Sequence, residues 1–202
     1  MTRAVVVMYN LDGVAQDAYQ KLHSAWDSVQ NAGGTWHINE AAAVLDRKYH
    51  AGASNVVKRK TINIRKGEPP IVKTNVEIVI VPAGRQLLAF MPDRLLVFDG
   101  GNVAGIDYGN VNLVVTQRQF IEDETPPGDA KIVGFSWRYV NKNGGPDRRF
   151  ANNAQLPVAL YEELHLKSSS GLNELFQCSR LEVGKSIQEA LAELVSIASE
   201  KK

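Results

Sequence analysis

Gln86–Asp99 reads QLLAFMPDRLLVFD, and this stretch decides the fold class. Two apolar runs, Gln86–Met91 and Arg94–Asp99, flank Pro92-Asp93. Proline presets the backbone for a tight turn and aspartate tolerates the corner beside it, so the pattern predicts a β-hairpin. Strand signals continue outward on both sides. Val76–Val81 is β-branched and apolar, and Pro82–Gly84 is expected to turn the chain. Asp99–Gly101 is a second turn, followed by a short strand at Asn102–Asp107 and a longer one at Val111–Phe120. Lys131–Val140 (KIVGFSWRYV) alternates. Ile132, Gly134, Ser136, Arg138 and Val140 fall on one side, and Val133, Phe135, Trp137 and Tyr139 on the other. Leu156–Leu166, of which YEELHL also suits a helix, and Leu172–Ser179 complete the run. Short strands spaced by turn signals in this way favour a sandwich or barrel.

The strand-rich run is framed by helices. Ser186 and Glu189 have capping-box spacing, and Ile187, Ala190, Leu191, Leu194, Val195 and Ala198 form one stripe, predicting a helix from Ser186 to about Ser199. Near the start, Leu11, Val14, Ala15, Ala18, Leu22, Ala25, Trp26 and Val29 recur at three- and four-residue steps. They predict an amphipathic helix from Leu11 to about Asn31, with Asn10 or Asp12 at its start and Gly33-Gly34 at its end. Ala4–Tyr9 is a short strand or an apolar lead into that helix. Thr35–His50 is ambiguous, holding either strands at Thr35–Ile38 and Ala43–Leu45 or a short helix. Val56–Ile64 (VVKRKTINI) suits a strand with one basic face, and Lys66–Pro70 is a break. The expected class is mainly β with flanking helices (α+β). Its organisation divides into an N-terminal amphipathic helix with connecting extension (1–55) and a β domain with a C-terminal capping helix (56–202).

Composition narrows the functional classes. At 202 residues, 44% hydrophobic and 22% charged, the chain suits a globular protein able to bury a core without staples. The net charge of +1 selects no partner, so any basic surface must be local. Cys178 is the single cysteine, which excludes an intramolecular disulfide or a cysteine-rich zinc site and fits a reducing cytoplasm. No apolar run reaches the length of a membrane span, and Ala4–Met8 is too short for a secretory core. An integral membrane segment is therefore not expected.

The phrases PAGRQLLAFMPDRLLVFDGG, WRYVNKNGGPDRRF, LPVALYEELHL and GLNELFQCS carry a resemblance. Over about residues 55–180 the chain resembles a group of uncharacterised bacterial proteins with a pleckstrin-homology-like barrel. The resemblance implies seven strands in two sheets closed by a C-terminal helix, with the N-terminal helix as an extension. It implies no particular activity, because this barrel hosts lipid-binding, peptide-binding and purely structural roles.

Two segments stand out as candidate sites. Arg47–Lys73 is basic, and Lys58, Arg59, Lys60, Arg65 and Lys66 are its candidates for anion binding. Alternation puts Lys58 and Lys60 on one face and Arg59 on the other. The bland reading is an edge strand protected by charge. Asn141–Phe150 (NKNGGPDRRF) sets Asp147 beside Arg148 and Arg149, and arginine forks suit carboxylate or phosphate. Its bland reading is a structural loop in which Asp147 accepts backbone amides and pairs with an arginine. Tyr19 and Trp26 are further partner-binding candidates if the first helix exposes them; packing onto the barrel is the default.

Signals for chemistry are weak. His23, His37, His50 and His165 are isolated in sequence, and Cys178 reads as a buried thiol. Glu122–Glu124 and Glu162-Glu163 read as solvated carboxylates. No metal site, cofactor or catalytic residue is expected. The leading expectation is a non-enzymatic interaction or scaffold module that binds protein partners or self-associates. The alternative is recognition of anionic lipid or nucleic acid. An enzyme would need a histidine–carboxylate cluster assembled by the fold.

Overall fold

The computed structural model describes residues 4–38 and 59–200. The expected strand at 43–45, and the calls on Arg47, Lys48, His50 and Lys58, lie outside these residues. In chain order the elements are β1 (Val5–Val7), α1 (Gly13–Gln30), β2 (Thr35–Ile38), β3 (Arg59–Thr61), β4 (Arg65–Gly67), β5 (Val72–Thr74), β6 (Ile78–Ala83), β7 (Gln86–Phe90), β8 (Arg94–Asp99), β9 (Asn102–Asp107), β10 (Val111–Ile121), β11 (Lys131–Trp137), β12 (Gln155–Ser168), β13 (Asn173–Cys178) and α2 (Val183–Glu200). The described chain is mainly β, with one helix near each end.

The strands form two larger sheets and one small one. The first sheet runs β4-β6-β7-β8-β9 and is antiparallel throughout. Its centre is the hairpin read from sequence: β7 and β8 pair Leu88 with Val97, and the Met91 amide donates to the Arg94 carbonyl at 2.9 Å. The turn expected at Pro82–Gly84 falls later. Pro82 and Ala83 remain in β6, opposite Leu87 and Gln86, and Gly84 takes φ +63°. Pro82 is tolerated because β4 pairs with Ile78–Ile80, so among the described residues no strand on that side needs its missing amide hydrogen.

The second sheet runs β10-β12-β13-β2-β3. The long β12 has β10 along one edge, while β13 and β11 share the other, at Glu162–Lys167 and Gln155–Leu160. A short parallel pair, β1 with β5, forms the small sheet. The helical alternative for YEELHL gives way to strand because these residues are paired on both sides.

One core joins the two main sheets and both helices. In α1, Asp12 accepts the Ala15 amide at 2.8 Å, as an N-cap should. The predicted stripe then buries Ala18, Leu22, Ala25, Trp26 and Val29. The Trp26 ring lies 4.9 Å from that of Phe90 in the first sheet and 6.4 Å from that of Phe176 in the second. The core therefore takes residues from both expected segments, 1–55 and 56–202. Gly33 and Gly34 follow α1 for reasons of space. A Cβ would meet the Asp129 carboxylate at 2.6 Å from Gly33, or the Trp36 ring at 2.1 Å from Gly34.

The expected capping box of α2 is replaced. The helix begins at Val183, which places Ser186 inside its first turn and on the exposed side. Glu162, buried on β12, supplies the cap by accepting the Glu182 amide at 3.0 Å and the Gly184 amide at 2.7 Å. A carboxylate there also meets the positive end of the helix dipole. Gly184 permits the close approach, since its Cβ would fall within 3 Å of Leu164 and Val115. Glu162 is thus a buried cap and not a solvated acid. Glu163 is buried too, and accepts from Arg118 at 2.6 Å.

Candidate interaction surface

Tyr19 and Trp26 are removed from the surface by the core. Trp26 is buried between the sheets, and the Tyr19 hydroxyl lies 2.8 Å from the Phe90 carbonyl and 2.9 Å from the Glu77 carbonyl. Their apolar bulk is what fixes α1 in place, so neither can anchor a partner.

The basic candidates are dispersed. Arg59 and Lys60 lie on β3 of the second sheet, and Arg65 and Lys66 on β4 of the first. Lys66 pairs with Asp27 at 2.7 Å. Arg59 makes a two-pronged pair with Glu122, at 2.7 and 2.8 Å. Burial raises the Glu122 carboxyl, but the Arg59 hydrogen bonds and charge outweigh that and hold it below the usual range. Glu122 is therefore buried and paired, contrary to its expected solvation. Lys60 and Arg65 are exposed. Among the described candidates, an anionic ligand would face Lys60 on one sheet and Arg65 with the Asp27-paired Lys66 on the other.

β11 and the loop after it present a different surface. β11 pairs with β12 on one edge, and no strand pairs with its other edge among the described residues. A bulge at Val133 breaks the expected alternation. Ile132 lies opposite Ala159 and Phe135 opposite Pro157, so Ile132 joins Phe135 on one face. Phe135 is 64% exposed, and Ile132 and Val133 are also exposed.

The following loop is a small built hairpin. Val140 bridges to Pro146, the Asn141 amide donates to the Gly145 carbonyl at 2.8 Å, and the Asp147 amide donates to the Tyr139 carbonyl at 3.0 Å. The Asn141 side chain accepts the Asn143 and Gly145 amides, at 2.9 and 3.0 Å. Asn153 closes the base by accepting the Tyr139 amide and donating to its carbonyl. Asp147 is shielded within the loop. It accepts the Arg149 amide at 3.0 Å and the Arg149 guanidinium at 2.6 Å, and these bonds pull its carboxyl below the usual range. Arg149 is thus engaged within its own loop, while Arg148 is exposed. The rings of Tyr139 and Phe150 stack at 3.9 Å with both residues exposed. A shallow cavity of about 280 Å³ opens beside them, between Trp137, Asp147 and Leu156. Sequence reading found the loop through Asp147–Arg149; the aromatic stack, eleven residues apart, had no signal in spacing.

The fold also assembles a histidine–carboxylate contact. His37 Nε2 lies 2.6 Å from Glu174, so this histidine is not isolated. Its ring packs 5.5 Å from Phe176 and against Gly84, linking the second sheet to the β6–β7 turn of the first. His165 meets the side chain of Asn173 at 2.8 Å. Cys178 is fully buried, and burial pushes its thiol up to about 11. No cluster of three metal-ligating side chains forms among the described residues, and none of their helices is long and apolar enough to cross a membrane. No family model, curated protein or solved structure matches the chain.

Proposed function

We propose that the protein is a non-enzymatic interaction module that self-associates through β11 and the 138–153 loop. The observation that carries this reading is the edge of β11 left unpaired among the described residues, with Phe135 exposed beside it. An unpaired strand offers a ready row of amides and carbonyls to another strand, and proteins normally shield such edges. Here the edge carries Ile132, Val133 and Phe135 exposed, and the stacked Tyr139–Phe150 pair extends the apolar surface. A second copy is the chosen partner because an edge can meet its own image about a two-fold axis. That is the commonest symmetry of soluble oligomers, and it places the same apolar residues on both sides of the contact.

The four-strand meander β6–β9, the antiparallel set β10, β12 and β13, and the C-terminal α2 support reading the frame as a pleckstrin-homology-like sandwich. In this reading β11 and its loop are an insertion on that frame, and inserted loops on rigid scaffolds commonly carry recognition. A buried lone cysteine suits the cytoplasm as the compartment.

Light scattering coupled to size exclusion tests the reading on the full chain. The expected result is a dimer mass for the native sequence and a monomer mass for Phe135→Asp, with unchanged circular dichroism. A monomer of the native chain at high micromolar concentration would overturn it, as would a Phe135→Asp variant that stays dimeric.

A further inference from the structure

On the face of the second sheet opposite the main core, three strands contribute one aromatic ring each around a guanidinium. The Arg59 Cζ lies 4.7 Å from the centre of the Trp36 ring, 5.7 Å from that of Tyr161 and 5.8 Å from that of Phe120. The rings support one another, with Trp36 5.4 Å and Phe120 5.6 Å from Tyr161. Glu122 closes the box with both oxygens on the guanidinium fork, and Gln177 Oε1 stands 3.4 Å from it. Aromatic faces on a planar cation, plus a carboxylate matched to its two parallel N–H groups, select a guanidinium over an ammonium.

Two features separate the box from its occupant. Its walls come from β2, β10 and β12, whereas Arg59 comes from β3, the last strand of this sheet among the described residues. Peripheral elements open at lower free energy than the central strands of a sheet. In addition, a polar group remains unmet with Arg59 in place. Gln177 is fully buried, yet its Nε2 makes no hydrogen bond. Buried polar groups are normally satisfied, so it marks hydrogen-bonding capacity that Arg59 does not fill.

We propose that this box is a binding site for an arginine side chain of a partner polypeptide, with Arg59 as its resident occupant. The incoming arginine takes the Glu122 fork and the Trp36 face when β3 lifts away. This site is separate from the β11 surface, and either can fail without the other.

The test uses the full chain carrying Arg59→Ala, with N-acetyl-arginine methylamide as probe and N-acetyl-lysine methylamide as control. The Trp36 indole N–H resonance reports binding. In the variant, the arginine probe is expected to shift this resonance saturably, with affinity at least about tenfold above both the native chain and the lysine probe. Adding Trp36→Leu removes the resonance, so in that background the Tyr161 and Phe120 ring signals are followed, and they should lose the response. Equal response of native chain and variant, or equal response to both probes, would overturn the proposal. If Arg59→Ala does not fold alone, restoration of its fold by the arginine probe and not by the lysine probe supports the site, and no restoration by the arginine probe overturns it.

Discussion

β7 and β11 are short strands of similar apolar content, yet they occupy opposite situations. β7 lies between β6 and β8, and Leu88, Ala89 and Phe90 are completely buried. β11 has a partner on one edge, and Phe135 stands well out of the surface. Hydrophobicity therefore does not separate a buried strand from an exposed one here; the number of edges paired among the described residues does. Burial of β7 contributes to the stability of the core, and exposure of β11 leaves apolar surface outside it. An exposed apolar edge is an aggregation liability unless it has an occupant.

Substitutions can break this comparison at different strengths. The largest effect is expected on the β7 side. Trp26→Ala, which removes the ring contacting Phe90 and Phe176, should lower unfolding free energy by about 3–5 kcal/mol in urea titration. Glu162→Ala should come next, at about 2–3 kcal/mol, because it leaves the Glu182 and Gly184 amides without their acceptor. Its loss should appear first as faster amide exchange in the opening turn of α2.

Glu122→Gln should cost about 1–2 kcal/mol at neutral pH, through the weakened Arg59 pair. The folded-state carboxyl is held below its ordinary value, so its contribution is complete above about pH 5 and disappears as pH falls through the lower folded value. The gap between native chain and variant should thus narrow below about pH 4, as read by urea midpoints across pH. The smallest change in stability should come from Phe135→Asp, within about 0.5 kcal/mol, since the side chain packs on little of its own chain. A large loss there would erase the distinction between the two strands.

The parts of the fold legible in sequence share a local cause. The β7–β8 hairpin is set by Pro92-Asp93, and α1 by its stripe and the Asp12 cap; both depend on residues within a few positions. The missed features depend on distant ones. The start of α2 is fixed by Glu162, twenty residues before Glu182, so a sound local capping box at Ser186 and Glu189 misplaced it by a turn. The bulge at Val133 leaves a clean alternation in sequence and reverses which face Ile132 occupies. The candidate surface was half legible, since the glycines, Asp147 and the arginines announce a loop. The open edge and the Tyr139–Phe150 stack follow from pairing with β12, to which no local pattern points. The Arg59 box likewise draws on residues 36 through 177; the sequence marks Arg59 as an anion-binding candidate and Glu122 as a solvated acid, and nothing local brings the two together.

The most direct measurement of the central claim is amide hydrogen exchange of β11 and β7 in the full chain at low and high protein concentration. Self-association through β11 should slow exchange of the Gly134–Trp137 amides as concentration rises, while Leu88–Phe90 exchange stays constant. Exchange in β11 that is independent of concentration, or protection that rises elsewhere instead, would contradict it.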